Sequence, residues 1–104
     1  MPGVARKGDT VLTGHACSFT TPTLQCSTNV LVNKKGACRS GDMLQPHTIL
    51  AGVTCIPHVA VINAWAPTVF VNGLPIARIT DSADLGLIVT GSSNVIAWWN
   101  KRTT

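Results

Sequence analysis

The sequence predicts an all-β fold, in which short hairpins with long loops surround a pseudo-threefold axis and the chain's two ends pair to close it. Three observations predict it. Residues 68–81 read as a hairpin, the same pattern recurs 39 residues upstream, and each terminus carries half of it. No window sustains a helical apolar stripe, because Pro and Gly interrupt every candidate, so almost no helix is expected.

In residues 68–72, Val69 and Val71 point to one face of a strand and Thr68 and Phe70 to the other. Asn72-Gly73 follows, and both residues tolerate the positive φ of a type I′ turn. Pro75 fixes φ and removes a donor, which suits an edge, and Asp81 closes the unit with a turn-forming side chain. Upstream, residues 29–33 lie over 68–72 and residues 36–42 lie over 75–81. Residues 3–9 match only the second half of the unit, and residues 92–97 only the first. Together the ends make a third unit, and a closed ring of three hides sheet edges.

The remaining elements follow in order. Residues 4–8 form a short strand closed by Asp9, and residues 10–23 a loop. Residues 29–33 and 36–41 form the first hairpin, 43–60 the longest irregular segment, and 68–72 and 74–80 the second hairpin. Residues 82–87 are a short loop and 88–97 the closing strand. Val30, Val69 and Val95 are equivalent, as are Val32, Val71 and Ala97, and both sets are expected on the axis as core. Leu31, Phe70 and Ile96 are also equivalent and face away from it, where a large apolar group needs a second cover.

The 104 residues suffice for one domain, taken as 1–104. The chain is 45% hydrophobic but only 12% charged, about half the usual share, which points to burial in an assembly. All four acidic residues are Asp, and Asp9, Asp42 and Asp81 share one repeat position, as structural turn residues do. Basic and aromatic residues do not interleave, so a nucleic-acid platform is not expected. No apolar run approaches the roughly 20 residues of a membrane-spanning helix. The N-terminus has no apolar core of a signal peptide, so if the protein leaves a cell, lysis or a dedicated machine is the expected route.

His15, His47 and His58 all lie in loops that follow a repeat Asp. In a ring these loops emerge at one end, where three neutral imidazoles can meet on zinc or iron and a thiolate can complete the site. Cys17 lies two residues from His15, and Cys55 three from His58. Disulfides such as Cys17–Cys26 or Cys38–Cys55 are the alternative use of the cysteines, and four cysteines allow three full pairings.

The repeated Pro-x-Ala-Arg-x-x-Asp hairpin resembles the PAAR-repeat proteins. The tetrad stands here as Pro75-Ile76-Ala77-Arg78, Gly36-Ala37-Cys38-Arg39 and Gly3-Val4-Ala5-Arg6. Asn29-Val30-Leu31-Val32-Asn33 and Gly91-Ser92-Ser93-Asn94-Val95 are also similar to the family, and the resemblance spans residues 3–97. It implies a small cone capping a trimeric β-helical spike, one tip per trimer, in a contractile phage tail or a type VI secretion system. It also implies contact with a bacterial outer membrane and no small-molecule substrate. The phage tail, and hence the virion, is the expected setting; secretion through a type VI system is the alternative. The family's metal, usually zinc, is held by three His and one Cys. His15, His47 and His58 match the three His, whereas the usual Cys position holds Leu85. Cys55 is then the first choice for fourth ligand, Cys17 the second and Asp84 the third. Catalysis is not expected, because no nucleophile–base pair and no Glu are present. The rivals are a small metalloenzyme with a His₃ site and a secreted disulfide-stapled binding module.

Overall fold

A computed structural model describes residues 3–64 and 68–97. Among them are eleven short strands and no helix. Three backbone segments, one from each repeat unit, meet around an axis. Ala5 N–H donates to Ala77 O at 2.9 Å, Ala77 N–H to Cys38 O at 2.9 Å, and Cys38 N–H to Ala5 O at 3.0 Å. These bonds close a triangle. A second triplet surrounds it, from Lys7 to Gly36 O, Ser40 to Pro75 O and Ile79 to Gly3 O, at 2.8–2.9 Å. The antiparallel bridges Arg6 to Ala37, Arg39 to Ile76 and Arg78 to Val4 complete the cycle.

Each unit then turns by the same device. Asp9, Asp42 and Asp81 N–H donate to the carbonyls of Arg6, Arg39 and Arg78, at 3.0, 3.1 and 3.0 Å. The third residue of each turn is left-handed (Gly8 φ 90°, Gly41 φ 87°, Thr80 φ 78°), as a type II turn requires. The arginine grips the Asp from both sides of its fork. In Arg6 the Nε and Nη2 donate to Asp9 at 2.9 and 3.0 Å, and the backbone N–H adds a third bond at 2.7 Å. Arg39–Asp42 and Arg78–Asp81 repeat all three bonds at 2.8–3.1 Å. The repeated Asp is therefore a structural turn residue, as its spacing predicts.

The ring separates two apolar clusters. Successive residues of a strand point to opposite faces. Val4, Ala37 and Ile76 pack on one side with Val32, Val71 and Ala97. Their neighbours Ala5, Cys38 and Ala77 pack on the other with Val11, Leu44, Ile62, Ala64, Ala83 and Ile88. On the first side lie the hairpins β3 (Leu31–Val32) to β4 (Lys35–Gly36) and β8 (Phe70–Val71) to β9 (Leu74–Pro75). Their turn residues have positive φ: Asn33 and Lys34 in one, Asn72 and Gly73 in the other. The chain ends supply the third member through a Gly3–Ile96 bridge and a Val4 N–H to Val95 O bond of 2.9 Å.

On the second side β1 (Thr10–Leu12), β2 (Thr20–Pro22), β7 (Ile62–Asn63), β10 (Ser82–Ala83) and β11 (Gly86–Ile88) form an antiparallel sheet ordered β2-β1-β11-β10-β7. Bridges from Met43 to Val61 and from Leu44 to Thr23 join its two edges. The hairpin β5 (His47–Ala51) to β6 (Thr54–His58) pairs only with itself as a sheet.

Several expectations are corrected. Residues 10–23, 43–60 and 82–87, expected as loops, carry six of the eleven strands. Four of these strands have only two or three residues and show no alternation of their own, and Gly52 and Pro57 interrupt the pattern of the two longer ones. Val32, Val71 and Ala97 are core, but Val30 and Val95 are half exposed and Val69 only packs against the cluster. Val30 and Val95 stand at the hairpin rim, where their N–H groups bond Ser27 Oγ and Ser92 Oγ. Leu31, Phe70 and Ile96 are exposed, as expected. Trp98 and Trp99 lie outside the described residues.

Two predictions follow from the forks. Arg78 and Asp81 side chains are 3% and 9% exposed. Arg78→Ala leaves a buried carboxylate without its counter-charge, with only the backbone N–H of residue 78 still donating to it, and should cost about 3–5 kcal/mol in denaturant unfolding; Arg78→Lys should recover only part, because an ammonium cannot make both fork bonds. The second concerns acid. Burial pushes the Asp9 carboxyl up, but bonds from Arg6 and Thr90 outweigh it and hold the pKa below the ordinary 3.8. A depressed folded pKa adds stability above the unfolded value, and that stability fades as pH falls through the folded value. Melting curves should therefore show the gap between wild type and Asp9→Asn constant well above pH 3.8 and closing below it.

Candidate metal centre

Three loops leave the second side of the ring and meet. The first carries His15 between β1 and β2. Its frame is Thr13, fully buried, whose Oγ1 donates to Ser18 O and accepts from His15 N–H. The second is hairpin β5–β6, in which His47 and His58 are directly opposed. The third is the β10–β11 turn, where Asp84 is left-handed at φ 56°. Gly14 lies against the backbone of Leu85, and Gly86 against that of Leu12. A Cβ at either would overlap main-chain atoms, so these glycines let the His15 loop and the Asp84 turn touch.

The side chains converge. His15 Nε2 and His47 Nε2 lie 2.7 and 2.8 Å from Asp84 Oδ2, and His58 Nε2 lies 3.1 Å from Oδ1. His15 and His47 stack at 10°, and His58 stands edge-on to both, at 89° and 83°. His15 Nδ1 faces Ala16 O at 3.2 Å, and His47 Nδ1 faces Gln45 O at 2.8 Å. A carbonyl only accepts, so each Nδ1 carries a proton and a neutral ring presents Nε2 as a lone pair. Those two Nε2 atoms are 3.2 Å apart. Lone pairs and a carboxylate facing one another need shared positive charge, from protons on the rings or from one metal ion.

The four residues can hold such an ion, since all four donor atoms lie within 4.8 Å of one another. Metal bonds of about 2.0–2.1 Å put tetrahedral donors roughly 3.3 Å apart, so the pairs at 2.7–3.2 Å must spread slightly and any pair near the 4.8 Å limit must draw in. The carbonyl-bound Nδ1 atoms supply the outer hydrogen bonds that orient ligating imidazoles. Burial pushes the Asp84 carboxyl up, but with protons on the facing ring nitrogens hydrogen bonds from His58, His15 and His47 outweigh it and hold the pKa below the ordinary carboxylate range. Asp84 is thus kept ionised, as a ligand must be.

The structure brings together the three predicted histidines but neither predicted cysteine. Cys55 and Cys17 are bonded to each other, and Cys26 to Cys38, the pairing that the two examples drawn from spacing did not include. Spacing misled because residues 54–58 are a strand. Cys55 is three residues from His58, which puts it on the opposite face. Cys17 is left-handed at φ 81° and bridges Ile49 instead of following His15. Asp84, the last choice from sequence, occupies the fourth corner. The signal for it was present: it is the one Asp outside the repeat position. The sequence matches no protein-family model and no curated protein.

Replacing both Cys17 and Cys55 by Ser should leave the metal content of purified protein unchanged by elemental analysis. Asp84→Ala should weaken binding by more than the roughly 10–100-fold that loss of an outer partner costs. His47→Ala should lose the ion and lower the melting temperature, because metal-binding energy is folding energy where loops depend on it.

Proposed function

We propose that the chain is a non-enzymatic, metal-stabilised tip that caps the trimeric β-helical spike of a contractile phage tail, resides in the virion, and meets the host outer membrane. The observation that carries this reading is the cyclic pseudo-threefold ring with an apolar end. One chain with three similar units can meet three identical subunits of a spike. Leu31, Phe70 and Ile96, one from each unit, are exposed on the strands of that end. The resemblance to PAAR-repeat proteins points the same way.

Zinc is the ion we assign, with iron as the alternative; three imidazoles and one carboxylate suit a four-coordinate divalent ion. Of the four ligand side chains, three are 3–6% exposed and only His58 reaches 26%. Enclosure of that degree favours a structural role over a catalytic one. Asp9, Asp42 and Asp81 are held in the arginine forks, so no described carboxylate is spare for acid–base work. An ion joining three loops would stiffen an end that has little core of its own.

The test is co-purification with the spike trimer. An interface of this kind should bury at least roughly 1,000 Å². Phe70→Asp places a charge in it at a site that is exposed in the free chain. The variant should fold normally by circular dichroism and lose the spike. Unchanged binding would remove this end from the interface.

A further inference from the structure

We propose that hairpin β5–β6 is a shallow lipid anchor whose turn, with Leu50, Val53 and Ile56, seats in the outer edge of a bilayer's hydrocarbon. This deepens the tip reading, on which its biological setting rests, by naming the chemistry that the metal-bearing end meets. Val53 is 98% exposed, and Leu50 and Ile56 are exposed beside it. Phe19 in the His15 loop and Leu85 beside Asp84 are exposed as well.

Charge is what selects lipid. Residues 10–33 and 43–77 contain no Lys, Arg, Asp or Glu. Among the described residues, the charged side chains are the three forks, Lys7, the Lys34-Lys35 pair of the β3–β4 hairpin, and Asp84 inside the metal group. The loops around the hairpin thus expose large apolar groups with no formal charge among them. A protein-binding patch has a polar rim, and a charged side chain is costly in hydrocarbon.

The hairpin's dimensions limit how deep it can go. Five-residue strands at about 3.4 Å per residue reach roughly 17 Å, well short of the roughly 30 Å hydrocarbon core. No described strand pairs with the outer side of β6, so its free backbone groups must stay among water and headgroups. Only the turn can bring its backbone into apolar surroundings; Leu50 and Ile56, on the strands behind it, contribute side chains alone. The body of the hairpin is held by the Cys17–Cys55 disulfide close behind the turn, the Cys17–Ile49 bridge and a 2.8 Å bond between Ser18 Oγ and Thr48 Oγ1. The turn is therefore presented outward and does not fold back over its own apolar residues.

Flotation of the isolated chain with neutral phosphatidylcholine vesicles tests this. The wild type should float with the vesicles, and high salt should not release it. Val53→Asp should lower the bound fraction at least about tenfold, an effect of one charge in an apolar site, with circular dichroism unchanged because Val53 has no packing to lose. Paired Leu50→Ser and Ile56→Ser should act in the same direction. Phe70→Asp should float like wild type, which separates this surface from the spike-facing one. Three results would overturn the proposal. They are wild type that stays in solution, Val53→Asp that floats equally, and binding confined to vesicles containing phosphatidylglycerol and abolished by salt. The last would move the contact to Lys34 and Lys35.

Discussion

Everything in this structure depends on three backbone hydrogen bonds that close on themselves. Ala5, Cys38 and Ala77 each donate to one neighbour and accept from the other. Strands this short cannot hold a register alone; two-stranded hairpins are marginal in water. The cycle supplies the register instead, because no segment can slip without breaking bonds to two others. It also explains the small residues at that position, where three strands crowd one axis. The Arg–Asp forks sit directly after it and fix the angle at which each segment leaves.

That exit angle builds the candidate metal centre. The three loops that leave the ring are unrelated in sequence and length, yet they emerge on one side and within reach of one another. His15 arrives on a loop, His47 and His58 on a hairpin, and Asp84 on a tight turn. Three different local geometries supply the four residues, so the whole group exists only through the ring. The disulfide between Cys17 and Cys55 links the first loop to the hairpin beside the same group. Two cross-links on one pair of loops would leave the end of the molecule little freedom to deform, which suits the mechanical role proposed for it.

Charge is distributed with the same economy. Six of the twelve charged residues neutralise one another in the forks around the ring. Both ends are left with exposed apolar side chains, the equivalent trio at one and the long hairpin at the other. Two apolar ends on a chain of 104 residues suit the reading, proposed above, of a part that is covered at both. In the proposed assembly a protein trimer covers one end and lipid transiently meets the other.

The sequence by itself determined the ring. Repetition of Arg-x-x-Asp, of the Asn turns and of the valine alternation marks positions whose neighbours are close in the chain, and a pattern used three times reads above the noise. It also identified the three histidines, since the loops after equivalent turns must leave a ring on the same side. Only the tertiary structure decided the fourth member of the histidine group and the pairing of the cysteines. Residues 47–58 contain Gly52 and Pro57 and read as irregular, but they close as a hairpin of two five-residue strands. The two-residue period of a strand then turns Cys55 away from His58 and toward Cys17. Asp84 reaches the histidines across 69 residues from His15. Its place depends on Gly14 and Gly86 letting two backbones touch, a contact between distant segments that local sequence pattern does not encode.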